Sequence, residues 1–241
     1  MFGNYMQRID RDGNYTAFPG VTVIAGIGDK HISFWQSVYH FLSQSELICK
    51  YYKPLPYESY HMTTCNLYTK EQHPNDWPAI ITRKRSFLQK IHAVLSEMLL
   101  TPKVSIDYIS IPEVLQLYVS LPAEQEELIK AIAREFELEE YVPTSFHITL
   151  AYEYNPIVDQ EAYDAIKNEC ANLLHICQKE GNIILDCPKL SFFNSMEKFI
   201  PWDGRANPFI EHTTNQAGFF RTPQLSSFVD TISSCFSCKF F

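Results

Sequence analysis

Two short stretches decide the fold: SYHMTTCNLY at residues 59–68 and FHITLAYEY at residues 146–154. Both are rich in Thr and aromatic residues, which favours β-strands. Each carries a His-x-Thr motif, HMT at 61–63 and HIT at 147–149. Because side chains alternate faces along a strand, the His and the Thr of each motif are predicted to face the same side.

Each motif lies on the last strand of a strand–helix–strand unit. The apolar periodicity predicts these units at residues 21–26, 31–50 and 59–68, and again at 114–120, 123–137 and 146–154. Further elements are predicted as helices at 77–100 and 159–179, the second with Asp159 as N-cap, and as strands at 104–110 and within 182–193. The repeated order indicates a duplication of pattern, although the two halves share negligible sequence identity.

The duplication predicts one domain with a pseudo-twofold arrangement. We assign it to residues 1–205, with lobes at about 15–103 and 104–195, followed by a C-terminal extension at 206–241. If the two motif strands are neighbours, one groove receives both imidazoles and both hydroxyls.

Two imidazoles and two hydroxyls suit phosphodiester hydrolysis without a metal. One His takes a proton from water and the other gives a proton to the departing ribose oxygen, while the Thr hydroxyls donate to the phosphate oxygens. The sequence leaves open which His is the acid and which is the base. One His-x-Thr among eight His residues is ordinarily structural, but two copies in matching strand contexts are much harder to obtain by chance.

The composition of the chain limits the kinds of partner and site that we expect. The formal charge of −8 argues against long duplex nucleic acid, whose binding needs many Lys and Arg, but it leaves a nucleotide or an RNA end. Seven Cys without a visible secretory leader predict reduced thiols and a cytoplasmic protein, and no metal site is predicted from their spacing. No uncharged apolar run reaches the roughly 18 residues of a membrane span.

The paired motifs resemble the signature of the 2H phosphoesterase superfamily, which includes the LigT-like proteins. FPGVTVIAGI at 18–27, LPYESYHMTTCNL at 55–67 and FHITLAY at 146–152 resemble its DUF1868 branch, the 2H-phosphodiesterase-like proteins. The resemblance covers roughly residues 10–205.

This resemblance implies a bilobal α+β fold with two antiparallel sheets around a central groove and helices outside. It implies cleavage, without metal or cofactor, of a 2′,3′-cyclic phosphate or a 2′,5′-linked phosphodiester on a nucleotide or an RNA end. We also expect the protein to be a monomer. The residues that line the groove in relatives correspond here to His61, Thr63, His147 and Thr149.

Relatives also carry a substrate-contacting aromatic after the second motif, where this chain has Tyr152. On a regular strand its odd offset from His147 turns it to the other face, so this role needs a bulge or the end of the strand. Arg205 in WDGR, residues 202–205, is a second candidate substrate ligand, because a guanidinium pairs well with phosphate; a turn with a surface Arg is the alternative.

The sequence ends in CKFF, residues 238–241, which has the outline of a Cys-a-a-X prenylation motif at Cys238. Lipidation there would place the protein on membranes of a eukaryotic cell.

Two alternatives to the enzyme remain open. One is a non-catalytic module that binds nucleotides or RNA ends, and the other is a lipid-anchored interaction protein.

Overall fold

The computed structural model describes residues 8–209. Its helices are α1 Ile32–Gln44, α2 Glu46–Tyr51, α3 Trp77–Glu97, α4 Ala123–Glu135 and α5 Gln160–Glu180. Its strands are β1 Gly20–Gly26, β2 Tyr52–Pro54, β3 His61–Thr69, β4 Lys103–Ser110, β5 Val114–Ser120, β6 Phe146–Glu153, β7 Ile183–Ile184, β8 Lys189–Ser195 and β9 Lys198–Pro201. The α+β class predicted from the sequence is confirmed.

All the strand pairs are antiparallel, and they follow the order β7-β4-β5-β6-β3-β1-β8-β9, with β2 added beside β6. The order is symmetric about the contact between β3 and β6. In each half, the first strand of the predicted unit, β1 or β5, lies directly beside the strand that carries the motif. This is the neighbour relation that the duplicated pattern implies.

The expectation of two separate sheets is not confirmed, because the strands join into one nine-stranded sheet. The junction is a single residue pair, Met62 opposite Ile148, which are the central residues of the two motifs. Both side chains are fully buried, so their packing holds the two halves together at this point.

The two faces of the motif strands differ in polarity. Met62, Thr64 and Ile148 point into the core, whereas His61 and Thr63 are only partly buried. Tyr60 and Phe146, which precede the motif His residues, are buried as the alternation predicts. Helix α5 packs on β4 and helix α3 on β8, so the helices enclose the core and leave the His-bearing side of the sheet to a cavity.

Two local differences from the sequence prediction have identifiable causes. The helix expected at 31–50 is divided at Ser45, whose hydroxyl accepts a hydrogen bond from the Ile48 amide and thereby caps α2. Strand β9 was not predicted; it pairs with β8 and continues the sheet. Asp159 caps α5 as predicted, by accepting from the Glu161 amide.

Within residues 8–209, no helix combines the length and the apolar character needed to cross a bilayer. Cys238, and with it the prediction of lipidation, lies outside the described residues.

Candidate functional site

The two motifs open onto the same cavity, which has a volume of about 590 Å³ and is lined by His61, Thr63, His147 and Thr149. The local cause is the antiparallel pairing of Met62 with Ile148. In such a pair the residue after one partner lies opposite the residue before the other. Each His is therefore across the strands from the Thr of the other motif.

Both imidazoles are oriented by a carbonyl two residues earlier in the chain. Nδ1 of His61 donates to the Ser59 carbonyl at 2.6 Å, and the His147 ring makes a hydrogen bond to the backbone of Ser145. Because a carbonyl oxygen only accepts, Nδ1 carries the hydrogen in the neutral ring of His61. This leaves Nε2 as the nitrogen able to take or return a proton.

Burial lowers the pKa of both rings. The pKa of His61 falls to about 4, mainly because desolvation penalises the imidazolium; the Ser59 carbonyl opposes this shift and the positive charge of His147 adds to it. Burial also lowers the pKa of His147, against the effect of the Ser145 carbonyl. The His147 ring lies close enough for its charge to lower the pKa of His61, and the lowered pKa values keep both rings neutral near pH 7.

Because its pKa is lowered, His61 should make the folded protein less stable at acidic pH. Since the pKa of His61 is about 4 when folded and about 6.5 when unfolded, its contribution is fully present above pH 6.5 and is lost as the pH falls from 6.5 to 4. We expect the loss to be roughly 2–3 kcal/mol of unfolding free energy, and His61→Gln to remove this part of the pH dependence. Urea unfolding at pH 7 and pH 4.5 measures it.

Exposed His40 provides the matched control. His40→Gln should retain the wild-type difference in unfolding free energy between the two pH values. If His61→Gln also retains the full difference, the assignment of His61 as a buried, neutral imidazole is wrong.

Tyr152 lies in the cavity because β6 contains a bulge. Ala151 pairs with Leu115 and Thr149 with Gln116, so Leu150 is an extra residue between two consecutive pairs. The extra residue reverses the alternation and returns Tyr152 to the face of the second motif. The bulge that the sequence argument required is therefore present, and Tyr152 lines the same cavity as both His.

The hydroxyl of Thr149 has two polar neighbours on this face. Gln116 Nε2 donates to Thr149 Oγ1 at 3.4 Å, and Tyr152 shares a hydrogen bond with Thr149 that opposes the rise in the pKa of Tyr152 caused by burial. These contacts restrict the rotamer of Thr149. Gln116 was not singled out in the sequence; its signal is its place on β5, opposite the second motif.

Aromatic side chains form one wall of the cavity, and the sequence did not identify them. The Phe199 ring lies 4.1 Å from the His61 ring between centroids, Phe193 lies 5.0 Å from Phe199, and Phe18 lies 6.1 Å from Phe193. A Cβ at Gly20 would sit 2.1 Å from Cζ of Phe193, so glycine is what lets this ring cross β1. Glycine inside a strand is the one sequence signal for such a close approach.

Arg205 is not part of this site, which corrects the assignment of Arg205 to the substrate groove. Its side chain is 86% exposed and lies 4.0 Å from Asp203. It borders a separate cavity of about 230 Å³ beside Trp202. The WDGR segment turns away from the central cavity because Trp202 packs against Phe192 and His92 at the outer side of β8. Within residues 8–209, no cluster of three or more His, Cys, Asp or Glu side chains is arranged to hold a metal ion.

Comparison with known proteins shows a family whose model is similar to part of this chain. Residues 8–111 match the model named 2H-phosphodiest, described as a domain of unknown function, DUF1868. The matched segment contains the first motif and ends before the second. Uncharacterized protein 127L of Invertebrate iridescent virus 6 is 24% identical over 226 residues, which cover 83% of this chain and 96% of the viral protein.

A solved structure shares the fold. The crystal structure of a conserved protein of unknown function from Agrobacterium tumefaciens superposes with a TM-score of 0.59 over 81% of this chain and 89% of the bacterial one, at 16% identity. At that identity the likeness concerns the fold alone. The family match confirms the resemblance found in the sequence: residues 8–111 of the chain are similar to the 2H-phosphodiesterase-like family DUF1868.

Proposed function

We propose that the protein is a metal-independent phosphodiesterase that opens a 2′,3′-cyclic phosphate or cuts a 2′,5′-linked phosphodiester on a nucleotide or an RNA end. The family match indicates phosphodiesterase-type activity. The observation that carries the finer proposal is the convergence of His61, Thr63, His147 and Thr149 on one cavity, from two adjacent antiparallel strands.

The reaction uses the two imidazoles in complementary protonation states. Nε2 of one neutral His accepts a proton from water as the water oxygen bonds to phosphorus. The bond from phosphorus to the ribose oxygen breaks, and the other His, protonated, donates its proton to that oxygen. The Thr hydroxyls donate to the non-bridging oxygens as negative charge grows there. Proton exchange with solvent then restores the starting pair.

The lowered pKa values fit this scheme when the substrate is an anion. Both rings are neutral in the empty cavity, because burial penalises the imidazolium. A phosphate beside them supplies the opposite charge that favours protonation of one ring. Substrate binding and proton uptake are thereby coupled, and the acid form arises where the phosphate is.

The shape of the cavity also suits a nucleotide. Its volume of about 590 Å³ lies within the usual range of ligand sites. The wall formed by Phe18, Phe193 and Phe199 is aromatic, and Phe199 is the least buried of the three rings. Unstacked bases pack on rings of this kind in RNA-binding proteins.

The test is hydrolysis of the four nucleoside 2′,3′-cyclic phosphates and a 2′,5′-linked dinucleotide by the full chain in excess EDTA. We expect turnover that EDTA leaves unchanged, with ³¹P NMR identifying a 2′- or a 3′-phosphate product. Tight nucleotide binding without any product would instead support the non-catalytic module. Turnover that EDTA abolishes and a divalent cation restores would refute the metal-independent mechanism.

A further inference from the structure

A short hairpin at residues 8–16 brings one more functional group to the cavity. Ile9 pairs with Tyr15 as an antiparallel bridge, and the Thr16 amide donates to the Arg8 carbonyl at 3.0 Å. The turn between them is closed by the carboxylate of Asp10, which accepts from the amides of residues 12 and 14 at 2.9 and 2.8 Å. The backbone of Arg8 is therefore held at the base of a closed hairpin.

The hairpin is fixed to the strands beside the site. Ile9 is fully buried in the core. The Tyr15 hydroxyl donates to the Lys53 carbonyl of β2 at 2.7 Å, and the Tyr15 ring meets the Tyr152 ring edge to face at 6.1 Å. These contacts place the hairpin against β2 and β6, at the Tyr152 end of the cavity.

The side chain of Arg8 lines the cavity that holds both His. Its guanidinium carbon lies 4.4 Å from the centroid of the Phe18 ring, which gives the planar cation an aromatic support. The positive charge of Arg8 also opposes the rise in the pKa of Tyr152 that burial causes.

The charge balance of the lining makes this position important. Among the described residues that line the cavity, Arg8 is the one Lys or Arg, and Glu71, exposed just beyond β3, is the one carboxylate. Both imidazoles are neutral near pH 7 in the unliganded protein. An anion that enters a partly buried site is costly unless an opposite charge meets it. A guanidinium satisfies this need especially well, because its fork of N–H donors matches two phosphate oxygens.

We propose that Arg8 is a phosphate-binding residue of the cavity, supplied by the hairpin rather than by either motif. The inference rests on the proposed function, which provides the phosphorylated substrate. Arg8 binds the phosphate as an anion in the cavity that both His line, and the Phe18 ring supports the guanidinium.

The experiment compares Arg8→Gln, Arg8→Lys and Arg11→Gln in the full chain, with adenosine 2′-monophosphate and adenosine as calorimetric probes. Arg11 is the matched control, because it is exposed in the turn of the same hairpin. We expect Arg8→Gln to weaken binding of the monophosphate about 10-fold or more and to leave adenosine binding unchanged. Arg8→Lys should lose less, and Arg11→Gln should match the wild type.

Salt dependence adds a readout that a merely structural role would not change. The wild-type affinity for the monophosphate should fall with ionic strength more steeply than that of Arg8→Gln, because one ion contact is absent in the variant. Equal losses for adenosine and its monophosphate, or monophosphate binding by Arg8→Gln as tight as by Arg11→Gln, would overturn the inference. So would a wild-type protein that binds no monophosphate.

These measurements separate the inference from the proposed function. Wild-type hydrolysis combined with an Arg8→Gln variant that binds normally refutes the role of Arg8 and leaves the phosphodiesterase standing. Monophosphate binding that depends on Arg8, in a protein that turns nothing over, refutes the phosphodiesterase and supports the phosphate site.

Discussion

Replacing either motif His by Ala is expected to lower kcat for 2′,3′-cyclic phosphate hydrolysis by about 1,000-fold or more. In the proposed mechanism, His61 and His147 supply the two halves of one proton relay; both line the same cavity, and Nδ1 of His61 is bonded to a backbone carbonyl. Removing one of them leaves either water without a base or the ribose oxygen without an acid. Single-turnover kinetics in EDTA measure the loss directly.

The double variant sharpens this expectation. If the two rings act as one unit, the double Ala variant should be about as slow as the slower single variant, since a relay that has lost one member gains nothing from the other. If the reduction of kcat in the double variant is instead the product of the two single reductions, the two His contribute independently. His40→Ala, at an exposed position on α1, is the control and should retain the wild-type rate. Wild-type-like turnover by either single motif variant would refute the mechanism.

The core of the site was accessible from sequence because it depends on local rules. Strand alternation fixes which side of β3 carries His61 and Thr63, and a pseudo-twofold between the duplicated units places both motif strands beside a common groove. Neither rule needs knowledge of a distant contact. The four residues predicted for the groove are accordingly the four that the structure brings to one cavity.

That the strands join into a single sheet could not be predicted from the sequence. It depends on the pairing of Met62 with Ile148, which are 86 positions apart, and on the burial of both. A pattern of apolar residues shows that each side chain is inside, but not that the two lie opposite each other. One pair is enough to turn two expected sheets into one.

Tyr152 and Arg8 are two further residues whose position in the site could not be predicted from the sequence. The bulge that turns Tyr152 into the cavity is defined by the register against β5, so β6 alone does not contain it. Arg8 reaches the site through a hairpin held by Asp10 and Tyr15, whose side chains read as ordinary polar turn residues in the sequence. In both cases the deciding contacts are made with other segments.

The second large effect concerns the hydroxyls of the motifs. We expect Thr63→Val and Thr149→Val each to lower kcat by about 100-fold while changing KM little, because in the proposed mechanism the hydroxyl acts on charge that appears only in the transition state. Val keeps the shape and β-branching of Thr, so the strand is preserved. Steady-state kinetics with a 2′,3′-cyclic nucleotide, in EDTA, separate kcat from KM.

Thr64 is the matched control, because it is the next residue on β3 but faces the core, where its hydroxyl donates to the Val23 carbonyl at 3.3 Å. Thr64→Val removes the same atom from the opposite face of the same strand. It should cost about 1 kcal/mol of stability and leave kcat unchanged. A loss of kcat in Thr64→Val equal to that in Thr63→Val would mean that the strand, not the hydroxyl in the cavity, sets the rate. Because the two positions differ only in the face they present, this comparison isolates the chemistry of the cavity from the integrity of the sheet.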